Sequence, residues 1–187
     1  MDQRALVDQA RGGDHDAFAI LIDVRLARLD AAARLILRDP ELARDAVQET
    51  LIRAWRDLPG LRDPDRLDAW LHRLTVNACL DLVRRRRRRV IEVELSPIDM
   101  PNAADTAVSL DDRQLIDDAL ARLDPGHRAV VALHYLLGMP LPEVAASLRI
   151  PLGTAKSRLH YALAAMRTTV TGAAEPAAEA VAGGQLA

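Results

Sequence analysis

Two stretches of this 187-residue chain carry the kinds of side chain that hold nucleic acid. Residues 72–89 contain seven arginines and one acidic residue, Asp81, and residues 149–167 contain four lysines or arginines and no acidic residue. Cationic groups bind phosphates, tryptophan stacks on unpaired bases, and asparagine hydrogen-bonds to base edges. Both tryptophans and Asn77 lie in or near the first stretch, although core packing is the alternative role for each tryptophan. We therefore expect two separate nucleic-acid surfaces.

The net charge of −2 is the sum over segments that are strongly basic and segments that are strongly acidic. Residues 92–118 carry eight acidic residues against one base, Arg113, so this segment repels phosphate and is expected to stay off DNA. The arginine run at 84–89 has an ordinary alternative explanation, since a block of like charge is often only solvated. Here the run ends a patterned helix, which favours a binding role.

The sequence offers no catalytic or metal-binding set. Its five histidines lack ligand partners at metal-binding spacing, and it has neither a glycine-rich phosphate loop nor a nucleophile motif. Cys79, the only cysteine, lies in an apolar helical stretch and is predicted to be a buried core thiol. We therefore predict a protein that catalyses nothing and uses neither a metal nor another cofactor.

Glycines and prolines divide the first ninety residues into four helical pieces. Asp14 is the predicted N-cap of the second piece. The third is predicted to run from about Leu42 to Leu58, and the fourth from about Arg66 into the arginine run. Apolar residues recur along the fourth piece at helical spacing and predict its buried face. They are Leu67, Trp70, Leu71, Leu74, Ala78 and Leu82.

Helical periodicity stops near residue 90 and returns near residue 111, with prolines and scattered acids between. We predict an all-α fold of two small helical domains, 1–90 and 111–170, joined by an extended acidic linker at 91–110 and followed by a disordered tail at 171–187. No apolar run is long enough to span a bilayer, and the N-terminus lacks the apolar core of a signal peptide. We therefore expect a cytoplasmic protein without membrane insertion.

The second domain ends in a pattern typical of a helix-turn-helix. A short helix follows Pro142, a tight connection lies at 149–151, and a longer helix runs from about Gly153 to Thr169. Ala145 is small enough for the point where the two helices cross. Helical hairpins of this pattern also occur in proteins that never touch DNA, so the rest of the chain must decide. The outer face of the longer helix carries polar residues that suit phosphates and base edges in a major groove. They are Thr154, Lys156, Ser157, Arg158, His160 and Tyr161.

Three segments together resemble the extracytoplasmic-function group of the sigma-70 family over about residues 17–167, which is most of the chain. The first is Asp-Ala-Val-Gln-Glu-Thr-Leu-Ile-Arg-Ala-Trp at 45–55. The second is Ala-Trp-Leu-His-Arg-Leu-Thr-Val-Asn-Ala-Cys-Leu-Asp-Leu-Val-Arg-Arg at 69–85. The third combines Met-Pro-Leu-Pro-Glu-Val-Ala-Ala-Ser-Leu at 139–148 with Gly-Thr-Ala-Lys-Ser-Arg-Leu-His-Tyr-Ala-Leu at 153–163. Their occurrence in this order is highly specific for the family.

The resemblance implies a role for each segment. The first is similar to the region two helix that docks on the coiled coil of the largest polymerase subunit. The second is similar to the promoter-melting helix, and the loop before it, 61–65, would hold a flipped base of the minus-ten element. The third is similar to region four, which reads the minus-thirty-five element. The implied polymerase-binding residues are Asp45, Gln48, Glu49 and Arg53. The implied minus-ten residues are Arg62, Trp70, Arg73, Asn77, Asp81 and Arg84.

The resemblance therefore implies a transcription initiation factor that binds core RNA polymerase and promoter DNA. Members of this group are commonly held inactive by an anti-sigma protein, so such a partner is expected. Three positions depart from the family pattern: Arg149 replaces a turn glycine, Ala155 a larger aliphatic anchor, and Tyr161 a residue that is often basic. These departures leave the promoter sequence open.

Two other functions fit parts of the sequence. An autonomous regulator with a C-terminal helix-turn-helix would bind a palindromic duplex without polymerase. A helical scaffold would use the arginine run to hold an acidic partner. The ordered set of a polymerase-binding helix, a basic aromatic helix, an acidic linker and a helix-turn-helix favours the initiation factor over both.

Overall fold

A computed structural model describes the backbone of residues 2–93 and 112–182 and, within these ranges, the side chains of residues 2–88 and 114–169. These parts of the chain form helices and turns without a β-strand, which confirms the all-α prediction. The first half contains α1 (Gln3–Arg11), α2 (His15–Leu37), α3 (Pro40–Asp57), two 3-10 turns (Leu58–Gly60 and Pro64–Arg66) and α4 (Leu67–Val93). The second half contains α5 (Asp112–Ala121), α6 (Pro125–Val131), a π-helical turn (Ala132–Leu136), α7 (Leu141–Leu148) and α8 (Leu152–Ala182).

Aspartates fix the N-termini of several helices. The Asp14 carboxylate accepts hydrogen bonds from two backbone N–H groups at 2.9 and 3.0 Å, which confirms the predicted N-cap of α2. Asp39 and Asp124 cap α3 and α6 in the same way, and each is followed by a proline, whose fixed φ suits the first helical position. Because this cap precedes Pro40, helix α3 begins two residues before the predicted start.

Helix α4 packs on α2 and α3 through a narrow buried face. The fully buried apolar residues of this face are Leu67, Leu71, Val76, Ala78 and Cys79, and Thr75 is buried with them. Three residues predicted to lie on it, Trp70, Leu74 and Leu82, are instead half-buried at its edges. Cys79 is fully buried, as predicted, and burial raises the pKa of its thiol to about 12, so the group stays protonated at neutral pH.

Two helices extend beyond the bounds that the sequence predicted. Helix α4 ends at Val93, inside the predicted linker, and the rest of that linker lies outside the described residues. Helix α8 continues to Ala182, within the segment 171–187 for which we had predicted disorder. Alanines dominate this segment, and alanine has the highest helix propensity of all residues, which accounts for the continued helix. Residues 183–187 also lie outside the described part of the chain.

A buried arginine of α6 joins the two halves. Arg128 is 8% exposed, and its Nε donates a hydrogen bond to the Ile36 carbonyl at 2.7 Å while its Nη1 donates to the Leu123 carbonyl at 2.6 Å. Ile36 lies in the last turn of α2, where carbonyls have no partner within the helix. In the opposite direction, Arg38 at the end of α2 donates from Nη1 to the Asp117 carbonyl of α5 at 2.7 Å. Each half thus caps backbone groups of the other.

We expect Arg128→Met to lower the free energy of unfolding by about 2–4 kcal/mol, because buried carbonyls of two helices lose their donor. Methionine retains much of the apolar stem, so the change isolates the guanidinium group. Urea titration followed by circular dichroism measures the effect. Arg122→Met, at an exposed position in the turn after α5, is the matched control and should change stability by less than about 0.5 kcal/mol. Equal midpoints for the two variants would contradict this role of Arg128.

Candidate nucleic-acid interface

A cavity of about 530 Å³ lies between the loop that precedes α4 and helix α7 of the second half. Three of the predicted minus-ten residues, Arg62, Trp70 and Arg73, line it. The loop is anchored by Leu61, which is 7% exposed and whose carbonyl accepts a hydrogen bond from the guanidinium of Arg11. The loop predicted to hold a base therefore forms one wall of a cavity with an aromatic and cationic lining.

Helix α7 and the turn before it close the other side of this cavity through Met139, Glu143 and Ser147. The Glu143 carboxylate lies 3.1 Å from Nη2 of Arg66, an ion pair whose side chains are 40% and 61% exposed. Exposed pairs of this kind contribute about 0–1 kcal/mol. Neither residue was predicted from the sequence to belong to a site. Arg66 adjoins the predicted loop, so its position beside the site was predictable from the sequence. No local pattern pointed to Glu143.

The other predicted minus-ten residues continue along α4. Trp70, Arg73, Asn77, Asp81 and Arg84 are three or four residues apart and so follow one face of the helix. Asn77 and Asp81 are half-buried, and Arg84 is exposed. Only the first two of the five line the cavity with the loop, while the other three lead towards the arginine run.

Trp55 has a packing role. Its ring stacks on His15 at a centroid distance of 4.2 Å and meets the edge of Phe18 at 5.1 Å. Trp55 is half-buried and belongs to neither core cluster of the described residues, and its stacking partner His15 is exposed, so these rings pack at the surface. Trp70 packs against the core of the first half and also lines the cavity.

A second cavity, of about 300 Å³, is a groove between α3 and α4. All four predicted polymerase-binding residues line it from α3: Asp45, Gln48, Glu49 and Arg53. Helix α4 supplies the opposite wall, which includes Asp81, Leu82 and Arg85. Ile52 also lines the groove and is 55% exposed, an unusual exposure for an isoleucine. The groove thus combines an apolar side chain with charged ones, as a protein-binding surface does.

Four charged side chains are linked across this groove. Arg53 Nε donates to Glu49 at 2.7 Å, Arg53 Nη1 donates to Asp81 at 3.1 Å, and Arg84 Nη2 donates to Asp81 at 2.5 Å. Burial by itself would lower the pKa of Arg53. The carboxylates of Glu49 and Asp81 outweigh this effect, so the pKa of Arg53 lies above its ordinary value. Burial by itself would raise the pKa of Asp81. The guanidinium groups of Arg53 and Arg84 outweigh this effect, so the pKa of Asp81 lies below its ordinary value. Arg53 and Asp81 therefore form an ion pair at neutral pH.

The helix-turn-helix is formed by α7 and α8. Val144 and Ala145 are buried where the helices meet, and the Ala145 carbonyl accepts a hydrogen bond from the Ile150 N–H at 3.0 Å. Ala155, Leu159 and Ala162 form the buried face of α8. The predicted reading residues lie on the other side, where four of them are exposed: Lys156, Ser157, His160 and Tyr161.

The two remaining reading residues lie at the edge of this face. Thr154 and Arg158 are half-exposed. The guanidinium of Arg158 lies against Gly126 at the start of α6, so close that a Cβ on Gly126 would be 3.4 Å from Arg158 Nη1. Arg158 would therefore have to leave its contact with Gly126 to reach DNA. Lys156 is exposed on the outer face of α8 and can reach a phosphate or base directly.

No group of three or more histidine, cysteine, aspartate or glutamate side chains in the described residues is placed to hold a metal ion. Within residues 2–93 and 112–182, no helix combines the length and the apolar character needed to cross a membrane.

Known families match both halves of the chain. The family model for Sigma-70 region 2 matches residues 21–89, and that for Sigma-70, region 4 matches residues 113–166. The ECF RNA polymerase sigma factor SigL of Mycobacterium tuberculosis is 36% identical over 169 residues, which cover 89% of this chain and 96% of that protein. The chain belongs to the extracytoplasmic-function group of the sigma-70 family. Among other members of the group, SigW of Bacillus subtilis is 26% identical over 86% of this chain and 92% of its own.

Two solved structures are similar to this one. CnrH in complex with the cytosolic domain of CnrY has a TM-score of 0.64 at 31% identity, and the match covers 91% of this chain and 99% of that one. The sigma factor RpoE in complex with the anti-sigma factor NepR, from Bartonella quintana, has a TM-score of 0.69 at 25% identity and covers 82% and 96%. The fold and the family inferred from the three sequence segments are thereby confirmed.

Substitution of Arg149 tests the backbone conformation of the turn between α7 and α8. Its φ of 55° is in the left-handed region, which costs a residue with a side chain roughly 1–2 kcal/mol. We expect Arg149→Gly to raise the free energy of unfolding by roughly 0.5–1 kcal/mol, because relief of this strain exceeds the added entropy of an unfolded glycine. Arg149→Ala keeps the strain and should give no gain in a urea titration. An equal gain from alanine would assign the effect to the lost charge instead.

Proposed function

We propose that this sigma factor directs core RNA polymerase to specific promoters and helps open their minus-ten element. The observation that carries the proposal is that α4 forms a wall of both the base-holding cavity and the groove with the four predicted polymerase-binding residues. Polymerase and unpaired DNA would then contact two sides of one helix. Such an arrangement couples polymerase binding to the capture of a separated strand.

In this proposal, polymerase docks in the α3–α4 groove and the minus-ten strand enters the cavity beside the loop. Trp70 stacks on an unpaired base, Arg62 and Arg73 bind the flanking phosphates, and Asn77 hydrogen-bonds farther along the strand. An incoming phosphate would replace the Glu143 carboxylate beside the cavity. The exposed pair that it replaces is weak, so the replacement costs little.

The minus-thirty-five element is read by α8 in the major groove of duplex DNA. Lys156, Ser157, His160 and Tyr161 face the bases and phosphates, with Thr154 and Arg158 at the edge of the contact. We propose that the free protein has little sequence-specific affinity. Polymerase supplies this affinity by holding the two DNA-binding surfaces at the spacing of the two promoter elements. Once one element is bound, the other is present near its own surface at a high effective concentration.

An anti-sigma protein is the proposed regulator. The structure of RpoE with the anti-sigma factor NepR, which is similar in fold to this chain, supports such a partner. We propose that it covers the polymerase-binding faces, acts in the cytoplasm where promoters and polymerase are found, and so keeps the factor inactive. The factor itself catalyses nothing in this scheme, because each of its roles requires binding alone.

Run-off transcription tests the function directly. Purified bacterial core polymerase, with and without the full chain, is supplied with genomic fragments that include the region upstream of the gene for this protein. Discrete transcripts that depend on the chain are the expected result. Absence of such transcripts on many fragments, together with tight binding of duplex DNA by the chain alone, would instead support an autonomous helix-turn-helix regulator.

We expect Trp70→Ala and Asn77→Ala to weaken promoter opening about tenfold or more while changing initial binding less than about twofold, since lost base contacts cost about 1–3 kcal/mol per base. Permanganate reactivity of unpaired thymines measures opening, and a gel shift at low temperature measures initial binding. Lys156→Ala is the contrasting variant and should weaken initial binding. Equal losses in both assays for Trp70→Ala would remove it from the base-holding site.

A further inference from the structure

Asp81 differs from the other predicted minus-ten residues because both of its carboxylate oxygens are occupied. Oδ2 accepts a hydrogen bond from Nη1 of Arg53, and Oδ1 accepts one from Nη2 of Arg84. The Asp81 side chain is 32% exposed, so these bonds lie partly out of water. The carboxylate is therefore held from two sides, by α3 and by its own helix.

A carboxylate held in this way is poorly suited to contact DNA. It carries the same charge as phosphate, and in the ionised form it donates no hydrogen bond. An approach to a base amino group would require it to release one guanidinium. That release leaves a half-buried charge with fewer partners, which costs more than the new bond returns.

Arg53 indicates what Asp81 does instead. The Arg53 side chain is 19% exposed and spans from α3 to α4, where it forms part of the groove. Glu49 holds it from its own helix, one turn earlier, and Asp81 holds it from α4. Because a guanidinium is planar, two carboxylates on different helices fix both its position and its orientation. Loss of Asp81 leaves only the bond within α3.

We propose that Asp81 is a positioning residue of the polymerase-binding groove, which holds Arg53 against α4 and makes no contact with DNA. The proposal rests on the proposed function, since it takes the α3–α4 groove to be the surface that binds polymerase. Asp81 also bonds to Arg84, but the Arg84 side chain is 62% exposed, so water replaces the bond when Asp81 loses its charge and Arg84 keeps its access to DNA.

The positioning role and a DNA-contacting role predict opposite results for Asp81→Asn in the full chain. Asparagine keeps the shape and removes the charge. The positioning role predicts that the Kd for purified core polymerase rises about tenfold, as expected for a weakened charge-assisted hydrogen bond. Holoenzyme assembled above that Kd should open a promoter as well as the wild type does. A DNA-contacting role predicts an unchanged Kd for core and weaker opening.

A double-mutant cycle with Arg53→Gln separates positioning from a general loss of stability. When Arg53 is already replaced, Asp81→Asn should raise the Kd for core by less than about twofold, because the interaction is already lost. Asp30→Asn is the matched control, since Asp30 is 36% exposed, pairs with Arg34 on α2 and lies outside the groove. That variant should leave the Kd for core unchanged.

The results that would overturn the proposal are specific. One is an unchanged Kd for core with weakened opening in Asp81→Asn. The other is a further tenfold loss of core affinity when Asp81→Asn is added to Arg53→Gln. If Asp81→Asn does not fold, Asp81→Glu takes its place, and the displaced carboxylate should weaken core binding and leave opening intact. Failure of the wild-type chain to bind core polymerase would instead count against the proposed function itself.

Discussion

The rotation of α4 about its own axis decides where the predicted contact residues on this helix are directed. Leu71, Val76 and Cys79 are at most 1% exposed, and this buried face holds the helix in one orientation because a close-packed interior tolerates little movement. With that face buried, Trp70 and Arg73 line the cavity beside the loop, while residues on an adjacent face line the groove with α3. A change at Leu71, Val76 or Cys79 would therefore move both surfaces, although none of the three lines either of them.

The contacts between the two halves differ in strength because they differ in burial. Arg128 bonds to carbonyls of buried residues and lies within an apolar core that both halves share, so its loss leaves buried acceptors without a donor. The pair between Arg66 and Glu143 is exposed and adds little. A strand that enters the cavity breaks only the weak contact. Wider separation of the halves breaks the strong one as well, and a ligand can drive that separation only to the extent that it binds the separated form more tightly.

Local features of the sequence were predictable, and contacts between helices were not. The N-cap at Asp14 and the buried Leu67 and Leu71 follow from patterns that repeat within one helix, so periodicity finds them. The four predicted polymerase-binding residues also lie on one helix and therefore come together in one groove. By contrast, the bond from Arg53 to Asp81 joins residues 28 apart, and the bond from Arg128 to Ile36 joins residues 92 apart. Such pairs depend on how helices pack, for which a single sequence carries no local signal.

The arginine run shows how the fold divides a charge that is continuous in the sequence. Successive residues of a helix are about 100° apart, so consecutive arginines cannot all face one ligand. Arg84 bonds to Asp81, Arg85 lines the groove, and Arg86 lies 3.6 Å from the carboxylate that caps α3. Acidic residues of the first half thereby offset part of the repulsion within the run. The exposed Arg87 and Arg88 lie beyond these contacts. The number of phosphates that the run can neutralise, and with it the salt dependence of DNA binding, is therefore smaller than the number of its arginines.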